Sequence, residues 1–95
     1  MADKLRNKAN DALFEAVLTL KNIDECYDFF EDICSANELN TIAQRLTIVK
    51  MIRQGKVYSE IAAETGASTA TITRVNRSIQ FGNGSYDMVF ERLEK

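Results

Sequence analysis

Thr65-Gly66-Ala67-Ser68-Thr69-Ala70-Thr71-Ile72-Thr73-Arg74 is the stretch on which the fold turns. Ala62 stands four residues before Gly66 and ten before Ile72. That spacing fits two helices crossing at roughly 90 to 120° over a turn of three or four residues. A close crossing requires a small residue at Ala62, and Gly66 supplies the positive φ that ends the first helix. Ser68 can cap the second. Ile61, Ala67, Ile72 and Val75 then fall on the faces that close a small core, leaving Thr69, Ala70, Thr73, Arg74, Asn76 and Arg77 outward. Five β-branched residues between Thr69 and Val75 weaken intrinsic helicity. In exchange, small hydroxyl side chains let a backbone approach DNA. Ser and Thr bond phosphates or base edges, Thr and Ala methyls meet the thymine methyl, and Arg fits phosphate or guanine.

Working outward, the spacing predicts helices on both sides of this pair. Ala9, Leu13, Ala16, Val17 and Leu20 recur at three and four residues, an amphipathic stripe. Asp24 can cap a second helix carrying Cys26, Tyr27, Phe29, Phe30, Ile33 and Cys34. Asn37 can cap a third whose inward positions are Leu39, Ile42, Ala43, Leu46, Val49 and Ile52, ended by Gly55. Residues 57–65 and 69–80 form the central pair, and Ser85 can cap a last helix with Met88, Val89 and Leu93. The expected organisation is one all-α domain over 1–95, with a helical dimerisation core over about 1–54, a helix-turn-helix over about 55–80 and a C-terminal helix over about 81–95.

The charge is polarised. Residues 24–38 hold six acids and no base, whereas residues 45–77 hold six bases against Glu60 and Glu64. Between Thr65 and Tyr86 there is no acid at all. One surface is thus suited to approach phosphates, although the whole chain carries a formal charge of −2. Ninety-five residues make one domain rather than two. Apolar runs never exceed three residues, which excludes a membrane helix, and the charged start Met1-Ala2-Asp3-Lys4-Leu5-Arg6 lacks a signal core, so the expected location is cytoplasmic. There is no histidine, which removes the commonest acid-base group and His-based zinc sites, and no enzyme activity, cofactor or metal is expected. Cys26 and Cys34, eight residues apart on one expected helix, are roughly 12 Å distant, cannot pair with each other, and read as buried structural thiols.

Ala70-Thr71-Ile72-Thr73-Arg74, with Arg45, Ile48-Val49 and Gly55, resembles the Trp repressor family over residues 38–79. The whole chain, through Leu5-Arg6, Leu20-Lys21, Glu25-Cys26-Tyr27 and the 66–72 segment, is similar to Trp-repressor-like proteins of YerC/YecD type. The resemblance implies an intertwined homodimer of long helices bearing two helix-turn-helix heads that enter successive major grooves of double-stranded DNA. It places DNA reading on Ser68, the expected cap, and on Thr69, Ala70 and Thr73, which the spacing also turns outward; Arg74, Asn76, Arg77, Lys56 and Ser59 complete the expected DNA-binding residues.

The resemblance also implies an effector pocket formed by Arg45, Arg74 and Ser78, in which the family's glycine beside the second arginine is Val75. A branched side chain there occupies the space of an indole ring. The expectation is a homodimeric repressor that does not depend on tryptophan, with Val75 packed near Leu46 and with Arg45 and Arg74 free for phosphates or for acids such as Glu38. Two other readings stand beside it: a helical dimer whose head binds another protein, and a repressor controlled by a different small molecule.

Overall fold

Small polar side chains start four of the helices of this chain, and glycines follow the ends of three. The computed structural model describes residues 2–95, with side chains from Lys4 onward; Met1 of the charged N-terminal stretch lies outside the described residues. The elements are α1 (Ala2–Leu5), α2 (Lys8–Val17), α3 (Ile23–Ile33), α4 (Ala36–Arg53), α5 (Tyr58–Thr65), α6 (Thr69–Phe81) and α7 (Ser85–Glu94), with no strand among the described residues. They fall into two compact units, residues 1–39 and 40–95, with the division inside α4.

In the first unit, the Asn7 side chain accepts the Asn10 N–H at 2.8 Å, and Asn22 accepts the Glu25 N–H at 2.8 Å. The cap of α3 is therefore Asn22 rather than Asp24. Glu25 in turn accepts the Lys21 N–H at 3.0 Å, so the helix starts early and Asp24 falls in its first turn, where a carboxylate suits the helix dipole. The start of α4 is likewise shifted. Ser35 accepts the Glu38 N–H at 3.1 Å while the Glu38 carboxylate accepts the Ser35 N–H at 2.8 Å. Such a reciprocal box satisfies two donors at once, so it displaces the expected cap at Asn37. The Ser35 backbone N–H and then its hydroxyl hold the Glu38 carboxyl below the usual carboxylate range. No residue of α2 or α3 is buried, and Leu18 is 84% exposed. Cys26 is exposed and Cys34 half-buried, which corrects the reading of buried thiols: among the described side chains of this unit none is buried.

The second unit has the core. Ile48, Ile61 and Ile72 are each 0% exposed, and Val49, Met51, Ala67 and Val75 complete the buried set, with Tyr58, Ala62, Ile79, Tyr86 and Phe90 packed against it. The C-terminal half of α4 thus belongs with the head rather than ending a separate segment at residue 54. The inward face expected for α4 is also revised, because Ile42, Ala43 and Leu46 are exposed. Met51, Ile48, Ile52 and Val49 cover a broad sector of this helix that meets the head, whereas a second stripe through Ile42 and Leu46 is exposed. At its end, Gly55 (φ 83°) allows the Lys56 N–H to reach the Met51 carbonyl at 3.1 Å and its own N–H to reach the Ile52 carbonyl at 2.9 Å, a Schellman closure.

Gly66, at φ 74° and ψ 5°, ends α5, and its N–H meets the Ala62 carbonyl at 2.9 Å. A Cβ here would meet nothing within 4 Å. The cost of Gly66→Ala is accordingly one of backbone conformation alone, about 1 kcal/mol of stability, read as a lower urea midpoint with an unchanged slope. Ser68 caps α6 as expected, accepting the Thr71 N–H at 3.1 Å. The cap of α7 is Gly84 (φ 76°), one residue before the expected Ser85, since the left-handed turn suits glycine. Arg53 joins α7 to α4, pairing with Asp87 and lying 5.0 Å from the Phe90 ring centre.

Candidate nucleic-acid interface

The rotation of α6 is set by what it buries. Ile72, Val75 and Ile79 face the core, so the opposite side carries Thr69, Ala70, Thr73, Arg74 and Arg77. Positions 69 and 73, 70 and 74, and 74 and 77 are neighbours on a helix surface. These five residues line one open concavity of about 460 Å³, and all five are exposed. Ser68, the cap of α6, is also exposed. The first turn of α6 contains no acid, so beyond the Ser68 cap on the Thr71 N–H no carboxylate offsets its positive dipole end. Two guanidinium groups, three small side chains and a helix N-terminus therefore converge on one surface. That arrangement offers donors to phosphates and short, stiff contacts to base edges.

The remaining expected residues are distributed differently. Asn76 is half-buried and Ser59 is exposed in the first turn of α5. Lys56 is engaged: its ammonium pairs with Glu64 at 3.1 Å, which offsets its charge as a phosphate ligand. Arg45 is exposed on α4, and the Glu38 carboxylate expected as its partner is instead turned onto Ser35. Val75 is 3% exposed within the core, but Leu46, expected beside it, is 45% exposed and outside that cluster. Val75 belongs instead to the buried set that contains Ile48 and Val49. Ser78 donates to the Val75 carbonyl at 2.6 Å and shares a 2.9 Å hydrogen bond with the Tyr86 hydroxyl.

Two contacts of the head are not apparent in the sequence. Gln44 on α4 donates to the Thr65 carbonyl at 3.0 Å, and Tyr86 on α7 meets Ser78 of α6. Gln44 stands four residues before Ile48 and seven before Met51, so a polar residue within a core stripe is the available sign. Among the described residues, no three His, Cys, Asp or Glu side chains gather as metal ligands.

The profile of the family described as Trp repressor protein matches residues 8–94. The chain belongs to the Trp repressor family. It is 50% identical over 93 residues to the uncharacterized protein YerC of Bacillus subtilis (strain 168), covering 98% of this chain and 89% of that one. A crystal structure from Staphylococcus aureus, described provisionally as a Trp repressor, superposes with a TM-score of 0.92 at 53% identity, covering 97% of this chain and 92% of the other. A TrpR-like protein from Eubacterium eligens ATCC 27750 also gives 0.92, at 54% identity, covering 97% and 95%. The Trp repressor family consists of DNA-binding regulators rather than enzymes, and its all-helical fold is that of this chain. Among the described residues, no helix is long and apolar enough to cross a membrane.

Proposed function

We propose that this chain is a homodimeric, sequence-specific DNA-binding transcription regulator that represses by occupying a roughly two-fold operator and does so without tryptophan. The observation that carries this reading is the outward face of α6, where Thr69, Ala70, Thr73, Arg74 and Arg77 share one acid-free concavity. Dimerisation is supported by the first unit. Phe14, Leu18, Ile23, Tyr27 and Ile33 are all more than half exposed, as is Ile42 on the second stripe of α4. A second copy is the partner that removes such faces from water.

Independence from tryptophan is supported by Val75, whose side chain already occupies the core, and by Ser78, whose hydroxyl is committed to Val75 and Tyr86. The head then needs no ligand to fill that space.

Selection of bound duplexes from a genomic library, followed by titration at fixed salt, tests the reading. The expected result is a preferred duplex bound at least about 10³-fold tighter than random sequence, unchanged by added tryptophan, with sedimentation giving a dimer at micromolar concentration. Equal affinity for all duplexes overturns DNA reading; a folded monomer overturns the dimer. A tenfold gain in operator affinity with tryptophan overturns the independence from it.

A further inference from the structure

On α4, the spacing 44, 48, 51 places a primary amide at the head of a stripe whose other members, Ile48 and Met51, are buried in the head core. An aliphatic side chain would extend that stripe. Instead the half-buried Gln44 reaches across 21 residues of sequence to donate its Nε2–H to the Thr65 carbonyl at 3.0 Å. Thr65 is the last residue of α5, so its carbonyl has no donor within its own helix. The same residue is tied twice more: its hydroxyl donates to the Ile61 carbonyl at 2.7 Å and accepts the Ala67 N–H at 3.2 Å. The turn is thus knit internally by Thr65 and Gly66, and anchored to a different helix by one side chain.

We propose that Gln44 is a positioning residue for DNA reading, which fixes the point where α6 begins and so the pose of Ser68, Thr69, Ala70 and Thr73, without itself touching DNA. The proposal rests on the regulator reading above. Its physical basis is a division of labour. Burial of Ile72 and Val75 determines which face of α6 turns outward, but packing of methyl groups tolerates small shifts along and across the helix. Base-edge hydrogen bonds do not, since they need their groups held to within about 0.5 Å. A directional bond to the residue just before the turn supplies that constraint where Gly66 is otherwise a permissive joint.

The test is Gln44→Met in the full-length chain, which keeps the length of the side chain and removes its donor. Hydrogen exchange by NMR should show the Gly66 and Ala67 amides exchanging about tenfold faster, as expected when one hydrogen bond holding the turn is removed, with the Ile72 amide and the melting temperature unchanged because the methionine side chain extends the Ile48–Met51 stripe and offsets the lost bond in global unfolding. In parallel, affinity for the selected duplex should fall about tenfold, the same single bond read through binding, while affinity for random duplex and its salt slope stay the same. Equal losses on both duplexes identify a phosphate ligand instead and overturn the proposal. Faster exchange throughout the head with a lowered melting temperature identifies a generic stabilising role and also overturns it. A variant that discriminates duplexes as well as wild type overturns the positioning role alone. A wild-type chain that discriminates none overturns the regulator reading, and the positioning role with it.

Discussion

Replacing Ile72 by alanine should lower the unfolding free energy by about 3 kcal/mol, within the roughly 2–5 kcal/mol typical of a large aliphatic cut down to a methyl group in a close-packed core. Ile72 is fully buried, and the seven residues of that core offer little capacity to collapse around the void. Alanine's better helix propensity returns only a few tenths of a kcal/mol. At roughly 4–8 °C per kcal/mol for a domain of this size, the melting temperature should drop by about 12–24 °C. The measurement is urea or thermal unfolding at one fixed protein concentration, because the proposed dimerisation would make apparent stability concentration-dependent. A decrease below about 1 kcal/mol would mean that α6 is held by something other than this core.

The second large effect is on binding rather than stability. Arg74→Ala combined with Arg77→Ala should weaken affinity for every duplex by about 100-fold at moderate salt, taking roughly 1.5 kcal/mol for each charge-assisted hydrogen bond. The log-log salt slope should flatten by about two units, one for each phosphate that the variant no longer neutralises. Both side chains are exposed and neither belongs to the core, so the melting temperature should stay where it is. Thr73→Ala provides the contrast. It should change the order of preferred sequences by about 1 kcal/mol while leaving the salt slope alone. If the double variant kept the wild-type slope, the cationic face of α6 would not be what meets the phosphates.

The head is legible in the sequence because its constraints are local. Ala62, Gly66 and Ser68 each have a conformational reason to stand where they do, and Ile61, Ala67, Ile72 and Val75 close a core within one short segment; all four are buried. Helix starts are less legible because Asn, Asp and Ser compete for the same role. Ser35 prevails over Asn37 only through the return bond from Glu38, three residues on. The expected face of α4 runs through Leu46 and omits Ile48, because both sides of the helix carry apolar residues at helical spacing and periodicity alone does not rank them. Leu46 and Ile48 lie on different sides of the helix, and which side meets the head depends on α5 and α6, distant in sequence. The same non-local origin hides the Gln44 bond to Thr65, and it removes Lys56 from the free cations by pairing it with Glu64. For the site, the outward residues of α6 follow from the buried ones, whereas the expected effector set comes by resemblance: Arg45 is exposed on α4, Arg74 lines the concavity, and Ser78 is bonded to Tyr86.

The β-branched residues that weaken α6 as a helix have a further effect on recognition. Thr69 and Thr73 have few rotamers open to them in a helix, and Ala70 has none to lose. Whatever surface is pressed against that face freezes little side-chain motion there. Arg74 and Arg77 are the opposite, long and mobile, each giving up roughly 0.5–1.5 kcal/mol of rotamer freedom when immobilised. The concavity therefore joins an entropically inexpensive template to two adaptable arms. The template accepts a partner of one shape with little ordering, and the arms take up small differences in where the charges of that partner lie.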